Sequence, residues 1–168
     1  AAVHLHGDDT VLLCEWAFVD EIGRHRAVDR IRDARAVGHN NTFDLLVLFL
    51  GANDSTVPGF YPHVPVAEFK ENLAAIVKLV GAKHSILVTP PPYDGEAYVA
   101  LNKYPADFRS DANTKIYSQA VRDVGDALKI PVCDINEEFR TNTLKLLPED
   151  EGVANWKAAM QDGLHVNA

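Results

Sequence analysis

The sequence TFDLLVLFLGANDS, residues 42–55, decides the fold of this chain. From residue 43 to residue 50 it is almost entirely apolar, which is too short for a membrane span and too continuous for a half-exposed strand. This run therefore predicts a central β-strand that is buried on both faces. The following GANDS has turn chemistry, and the carboxyl ends of strands are where open α/β sheets bind ligands. Asn53 is thus predicted at the rim of the sheet, where its amide either serves a site or only closes an Asx-turn.

The rest of the chain alternates strand patterns with helix patterns. Strands are predicted at residues 1–6, 84–89 and 131–135. Helices are predicted at residues 14–36, 65–80, 113–128, 137–146 and 155–161, and a long loop is predicted at residues 93–110. Strands that alternate with helices pair in parallel through right-handed crossovers. The sequence therefore predicts an α/β fold, a three-layer α/β/α sandwich with a central parallel sheet, in a single domain over residues 1–168.

Composition and charge argue against several classes of protein. The 168 residues are 47% hydrophobic, which is enough for the core of one domain. The net charge is −8 and the chain has no cluster of basic residues, so neither nucleic acid nor an anionic membrane surface is expected as a partner. No apolar stretch reaches the roughly 18 residues of a membrane span and no export signal is visible, which predicts a cytoplasmic protein. Cys14 and Cys133 fit no metal motif and are predicted to be buried thiols.

A carboxylate and an imidazole lie three residues apart near the end of the sequence, in Asp162-Gly163-Leu164-His165. Histidine titrates near neutral pH and can act as a general base. The Asp162 carboxylate could accept a hydrogen bond from the imidazole and fix its tautomer, as in a hydrolytic triad. The neutral amide of Asn53 could donate to a developing oxyanion. An aspartate and a histidine at this spacing are also a common surface pair, and that alternative stays open.

The sequence GANDS followed far downstream by DGLH resembles the SGNH-hydrolase superfamily of GDSL-type esterases, and within it the isoamyl acetate-hydrolysing branch. The similarity continues through VPVAEFKENL at residues 64–73, ILVTPPP at residues 86–92 and NWKAAMQDGLH at residues 155–165. The resemblance implies the flavodoxin-like form of the three-layer sandwich, incomplete at both ends of this chain.

The same resemblance implies an activity and a set of roles. It implies hydrolysis of short-chain acyl esters, with a small-molecule ester as substrate and with neither a metal nor a cofactor. Asp162 and His165 correspond to the acid and the base of the family's triad. Asn53 corresponds to a donor of the oxyanion hole.

The second oxyanion donor of the family is the backbone N–H of an upstream glycine. Gly23 is the best candidate because it precedes Gly51 by 28 positions (51 minus 23), a separation similar to that of the family. Gly38 is a second choice. Gly23 could instead end a helix in a left-handed conformation, which glycine adopts without strain.

The identity of the nucleophile stays open. In the family it is the serine of a Gly-Asp-Ser block after the first strand, and the similar block HGDDT, residues 6–10, has Asp9 at that position. A carboxylate nucleophile would leave the base no proton to remove, and Thr10 could substitute only in principle. Three explanations compete: the amino-terminal segment misrepresents an active enzyme, the chain is catalytically impaired, or the similarity of residues 7–10 is accidental.

An impaired chain would be a small-molecule-binding protein with the same fold. A third hypothesis, a flavodoxin-like nucleotide binder, is disfavoured because no glycine-rich turn joins a strand to the start of a helix.

Overall fold

A computed structural model describes residues 2–6, 11–15, 43–102, 105, 107–141, 157, 160 and 162–165. Within these residues the chain forms one five-stranded sheet and four helices. The strands, in chain order and in spatial order, are β1 Ala2–His6, β2 Val11–Glu15, β3 Leu45–Phe49, β4 His84–Val88 and β5 Val132–Cys133. The helices are α1 Val66–Val80, α2 Gly95–Asn102, α3 Asp111–Leu128 and α4 Ile135–Thr141. None of these four helices is both long and apolar enough to cross a membrane.

The sheet is parallel from β2 to β5, as the alternation of strands and helices predicts. The exception is β1, which pairs with β2 in the antiparallel sense, from Ala2 opposite Glu15 to His6 opposite Val11. Two strands this close in sequence can only pair in this sense, because a parallel pair needs a crossover of a dozen or more residues. The predicted α/β fold with a mainly parallel sheet is therefore confirmed.

Strand β2 corrects one prediction. The sequence pattern predicts a helix over residues 14–36, but Cys14 and Glu15 belong to β2. The run Val11–Glu15 begins with four apolar residues, which is typical of a parallel strand rather than of an amphipathic helix. The rest of the predicted helix, residues 16–36, lies outside the described part of the chain.

Strand β3 is the predicted central strand, and its burial alternates along its length. Leu46 and Leu48 are buried, whereas Leu45, Val47 and Phe49 on the opposite face are partly exposed. The expectation of two buried faces is therefore met on one face only. The main core packs on the buried face and joins β3 and β4 to α1 and α3. Its buried members are Phe43, Leu46, Leu48, Leu50, Val64, Phe69, Leu73, Ile76, Val80, Leu87, Tyr117, Ala120, Val121 and Val124.

Both long helices form where the sequence predicts them, and local chemistry explains their ends. Helix α1 follows Pro65 and stops at Gly81, whose φ of 60° is the left-handed conformation that glycine favours. Helix α3 starts two residues earlier than expected, because the Ser110 side chain accepts a hydrogen bond from the Asn113 N–H. These contacts supply two helix boundaries that apolar periodicity alone cannot locate.

Three further predictions need correction. The expected loop at residues 93–110 contains helix α2, because the Asp94 carboxylate caps the N–H groups of Glu96 and Ala97. Cys133 is exposed at the end of β5 rather than buried. The helix expected at residues 137–146 starts at Ile135, and its part beyond Thr141 lies outside the described residues.

A polar network fixes the chain where β4 and β5 end. Asp134 accepts hydrogen bonds from Arg122 Nε at 2.6 Å and from Thr89 Oγ1 at 3.0 Å. Thr89 Oγ1 in turn accepts from the Asn136 N–H at 3.0 Å, and Asn136 Nδ2 donates to the Pro90 carbonyl at 3.0 Å. The network holds the segment that leaves β4 against the start of α4.

We expect the unfolding free energy to fall in acid because of Asp134. Burial raises the pKa of Asp134, but hydrogen bonds from Arg122, the Glu137 N–H and Thr89 outweigh burial and hold the pKa below its usual value. A depressed native pKa stabilises the fold above the ordinary aspartate pKa of about 4, and this stabilisation is lost as the pH falls through the native value. Asp134→Asn should lower the unfolding free energy by about 1–3 kcal/mol at pH 7. In urea unfolding at a series of pH values, the acid limb, which is the fall of this free energy at low pH, should be shallower than in wild type. The control Asp123→Asn breaks an exposed pair with Lys70 and should change stability little. An acid limb that is the same in Asp134→Asn and wild type would contradict this assignment.

Candidate active site

Asp162 and His165 form a hydrogen-bonded pair within one turn. Asp162 Oδ2 lies 2.5 Å from His165 Nδ1, and Asp162 Oδ1 accepts the backbone N–H groups of Leu164 at 3.0 Å and His165 at 2.8 Å. A carboxylate can only accept, so His165 Nδ1 carries the proton of this bond, and in the neutral imidazole the lone pair is then on Nε2. The turn therefore presents the tautomer that a general base needs.

The electrostatics of the turn keep Asp162 ionised. Burial raises the pKa of Asp162, but hydrogen bonds from the backbone N–H groups of His165 and Leu164 and from the imidazole outweigh it and hold the pKa below its usual value. An ionised Asp162 can stabilise the imidazolium that forms when His165 accepts a proton. The His165 side chain is 40% exposed, so part of the imidazole is in contact with solvent.

Gly163 holds the turn against the chain segment that follows β4. Its carbonyl accepts the Asp94 N–H at 2.9 Å, and its φ of 80° lies in the left-handed region. A Cβ at this position would lie 2.3 Å from the Asp94 carbonyl oxygen and 2.8 Å from the Tyr98 backbone nitrogen. Only glycine permits this approach, which sets the position of the Asp162 and His165 side chains.

The segment that receives the turn is itself anchored. Lys157 Nζ lies 3.2 Å from the Asp94 carboxylate and 3.3 Å from that of Glu96. The Tyr93 N–H donates to Asp111 Oδ1 at 3.1 Å. Asp94 and Tyr93 are thus held from two sides, by Lys157 and by the first turn of α3.

Asn53 lies in the turn that follows β3, and its side chain bonds to a distant residue. Asn53 Oδ1 accepts a hydrogen bond from Arg109 Nη2 at 3.0 Å, and Arg109 Nη1 donates to the Ala52 carbonyl. The turn is closed by the Ser55 N–H, which donates to the Gly51 carbonyl at 3.0 Å. The described contact of the Asn53 side chain is therefore with Arg109, and not with its own backbone as an Asx-turn requires.

The Asn53 turn and the Asp162–His165 turn meet on one group of side chains, here called the aromatic cluster. It consists of buried Tyr93, Tyr98, Phe108 and Leu164, with Ala52 and Phe60 packed against it. Ala52 precedes Asn53, and Leu164 precedes His165. The two segments, more than a hundred residues apart in sequence, therefore share one apolar floor.

The other candidate residues lie outside the described part of the chain. These are Asp9, Thr10, Gly23 and Gly38. The strands that flank Asp9 are described: His6 pairs with Val11, and Val11 pairs with Leu45 at the beginning of β3. The strand register thus puts His6 and Val11 level with the first residue of β3. Asn53 follows the last residue of β3, at the opposite end of the strand.

The structure adds Arg109, Asp94 and Gly163 to the site, and the sequence motifs predict no role for any of the three. Arg109 is an isolated basic residue, and its partners are 56 and 57 positions away. Gly163 was visible only as part of DGLH. An Asp-Gly pair beside a histidine was the one available signal that the turn needs a left-handed residue.

We expect Gly163→Ala to be more damaging than an alanine at another left-handed glycine. Gly59 has a φ of 94°, but no atom of the described residues lies within 4 Å of the position that a Cβ would take, so Gly59→Ala reports the backbone strain alone. Gly163→Ala adds the clash with Asp94, and overpacking typically costs a further sum of about 1–3 kcal/mol. Thermal unfolding of both variants measures the difference. Equal losses in the two variants would show that the Gly163 contact with Asp94 is not tight.

The chain resembles known proteins over most of its length. The GDSL-like Lipase/Acylhydrolase family matches residues 5–168. The isoamyl acetate-hydrolyzing esterase of Saccharomyces cerevisiae is 29% identical over 136 residues, which are 76% of this chain and 51% of that protein. A GDSL esterase/lipase of Arabidopsis thaliana is 29% identical over 130 residues, which are 73% of this chain and 51% of that protein. The chain spans about half the length of these curated relatives.

A solved structure supports the fold. The lipase/acylhydrolase from Enterococcus faecalis matches with a TM-score of 0.54 and 24% identity, over 81% of this chain and 61% of that one. The parallel sheet with its helices and this match agree with the predicted three-layer α/β/α fold. Because the family match covers nearly the whole sequence, the chain belongs to the GDSL-like lipase/acylhydrolase family.

Proposed function

We propose that this chain carries the active site of a carboxylic ester hydrolase that acts on short-chain acyl esters. The observation that carries the proposal is the 2.5 Å contact between Asp162 Oδ2 and His165 Nδ1, on the same aromatic cluster as the Asn53 turn. Family membership supports ester hydrolysis as the reaction. The isoamyl acetate-hydrolyzing relative supports a small ester as the substrate.

In the proposed mechanism His165 is the general base. Its Nε2 takes the proton from an attacking hydroxyl group or water molecule as the new bond to the ester carbonyl carbon forms. Asn53 Nδ2 donates a hydrogen bond to the carbonyl oxygen as it becomes negative, with the backbone N–H of Gly23 as second donor. His165 then gives its proton to the leaving alcohol, and Asp162 stays ionised throughout. Attack by water releases the acid directly, whereas attack by a hydroxyl group leaves the acyl group on that oxygen, and a water molecule deprotonated by His165 then hydrolyses this ester.

We expect hydrolysis of p-nitrophenyl acetate by the purified chain to depend on His165. Loss of a general base typically lowers the rate by about 10²–10⁴-fold, so His165→Ala should reduce kcat/KM by at least the lower of these factors. Exposed histidines also react with this ester, and His84→Ala is the matched control because His84 is exposed at the beginning of β4, away from the site. The His84 variant should keep the wild-type rate. Equal rates in wild type and His165→Ala would overturn the proposal.

A second candidate function is small-molecule binding without turnover. It is favoured by the strand register. His6 and Val11, the described neighbours of Asp9, are level with the beginning of β3, whereas Asn53 follows the end of β3. An open cleft of about 810 Å³ beside the Asp94 anchor gives room for a small ligand. Its lining is Tyr93, Asp94, Gly95, Glu96, Val99, Ala100, Asp111 and Lys157.

Restoring the family's serine tests whether Asp9 occupies the position of the nucleophile. The register leads us to expect that Asp9→Ser leaves the rate of p-nitrophenyl acetate hydrolysis unchanged, as does the neighbouring control Asp8→Ser. A rise of tenfold or more in Asp9→Ser alone, abolished by adding His165→Ala, would contradict this expectation and support Asp9 as the position of the nucleophile that an impaired chain lacks.

A further inference from the structure

Arg109 is a buried cation beside the proposed oxyanion hole. It lies in the segment just before α3 and forms an antiparallel bridge with Thr56, next to the Val57 N–H bond to the Phe108 carbonyl at 3.1 Å. Its residue surface is 6% exposed. A charged side chain is rarely buried to this extent unless it is paired or hydrogen-bonded.

The guanidinium determines which way the Asn53 amide points. Arg109 Nη2 donates to Asn53 Oδ1 at 3.0 Å, while Arg109 Nη1 donates to the Ala52 carbonyl. A guanidinium has donors and no acceptor, so the amide must turn its oxygen toward Arg109. The Asn53 NH₂ group consequently faces the other way.

The guanidinium is itself held by the aromatic cluster. Its carbon Cζ lies 5.2 Å from the centre of the Phe108 ring and 5.7 Å from that of Tyr98. Both distances fall within the range of a cation–π interaction. The same two rings pack with Leu164. Arg109 therefore connects the Asn53 turn to the side chains that seat the Asp162–His165 turn.

We propose that Arg109 is a positioning residue of the oxyanion hole. It holds the Asn53 carboxamide with Nδ2 directed at the ester carbonyl, and its charge polarises the amide so that the N–H becomes a stronger donor as the oxyanion forms. This inference rests on the proposed function. A lysine would keep the charge but could not bridge two oxygens with a planar fork, so the proposal is specific to arginine.

The first test measures kinetics with p-nitrophenyl acetate. An oxyanion forms only in the transition state, so Arg109→Lys and Arg109→Met should lower kcat by about 10–100-fold and leave KM within about twofold. The double variant Asn53→Ala/Arg109→Met should be no slower than Asn53→Ala, because Arg109 acts through that amide. Arg122→Gln is the matched control, since Arg122 binds Asp134 outside the site. Multiplied losses in the double variant would overturn the proposal.

The second test does not require turnover. The ¹⁵N relaxation of the Asn53 side-chain amide, assigned by its disappearance in Asn53→Ala, reports the order of this group. We expect a rigid amide in wild type and Arg122→Gln, with an order parameter of about 0.8 or higher, and a mobile one below about 0.6 in Arg109→Met. Arg109→Lys provides the same comparison if Arg109→Met does not fold. An inactive wild type would refute the ester hydrolase alone, whereas an equally rigid amide in the Arg109 variants would refute the role of Arg109.

Discussion

The packing of Leu164 into the aromatic cluster is the contact on which the proposed site depends. Leu164 is almost fully buried against rings from the segment after β4, from α2 and from the strand-like segment before α3. Burial of a leucine side chain contributes about 1.5–3 kcal/mol, which is enough to fix a short turn near the end of the sequence. Ala52 packs against the same cluster. The cluster thus fixes where the Asn53 turn lies relative to the His165 turn, through the packing of Ala52 and Leu164.

Polar anchors surround this apolar floor and restrict how far it can move. The Asp94 N–H donates a hydrogen bond to the Gly163 carbonyl, and the Asp94 carboxylate is paired with Lys157. Arg109 joins the Asn53 turn to the rings. Each of these contacts involves a segment that directly follows β3 or β4. Because the main core packs against these two strands, it also fixes the position of the site. Catalytic groups need this kind of support, since small displacements of a base or an oxyanion donor reduce the rate strongly.

The sequence predicts the parts of this protein that local patterns encode. The continuous apolar run before Gly51 gave β3, the apolar stripes gave α1 and α3, and the spacing of Asp162 and His165 gave their hydrogen bond. The sequence did not predict β2 or α2. Strand β2 is only five residues long, and the start of α2 depends on a single capping aspartate. Arg109 could not be predicted, because its role depends on partners that only the folded chain brings within reach.

The strand register also bears on whether the family's nucleophile role can be assigned to residues 6–10. The block at residues 6–10 looks like the family's nucleophile block, yet its described neighbours pair at the edge where β3 begins. Sequence similarity compares residues in order, whereas the register depends on which strand lies beside β3. Similarity in this short block is therefore weaker support for a role than the paired contacts of Asp162 and His165.

The most direct test of a shared site for Asn53 and His165 is an NMR titration with acetate, the acid product expected from an acetyl ester. If both groups face one cavity, the Asn53 side-chain amide and the His165 imidazole resonances should shift along a single binding curve, and Asn53→Ala should weaken that binding. Shifts in only one of the two groups, or two curves with different midpoints, would contradict the account.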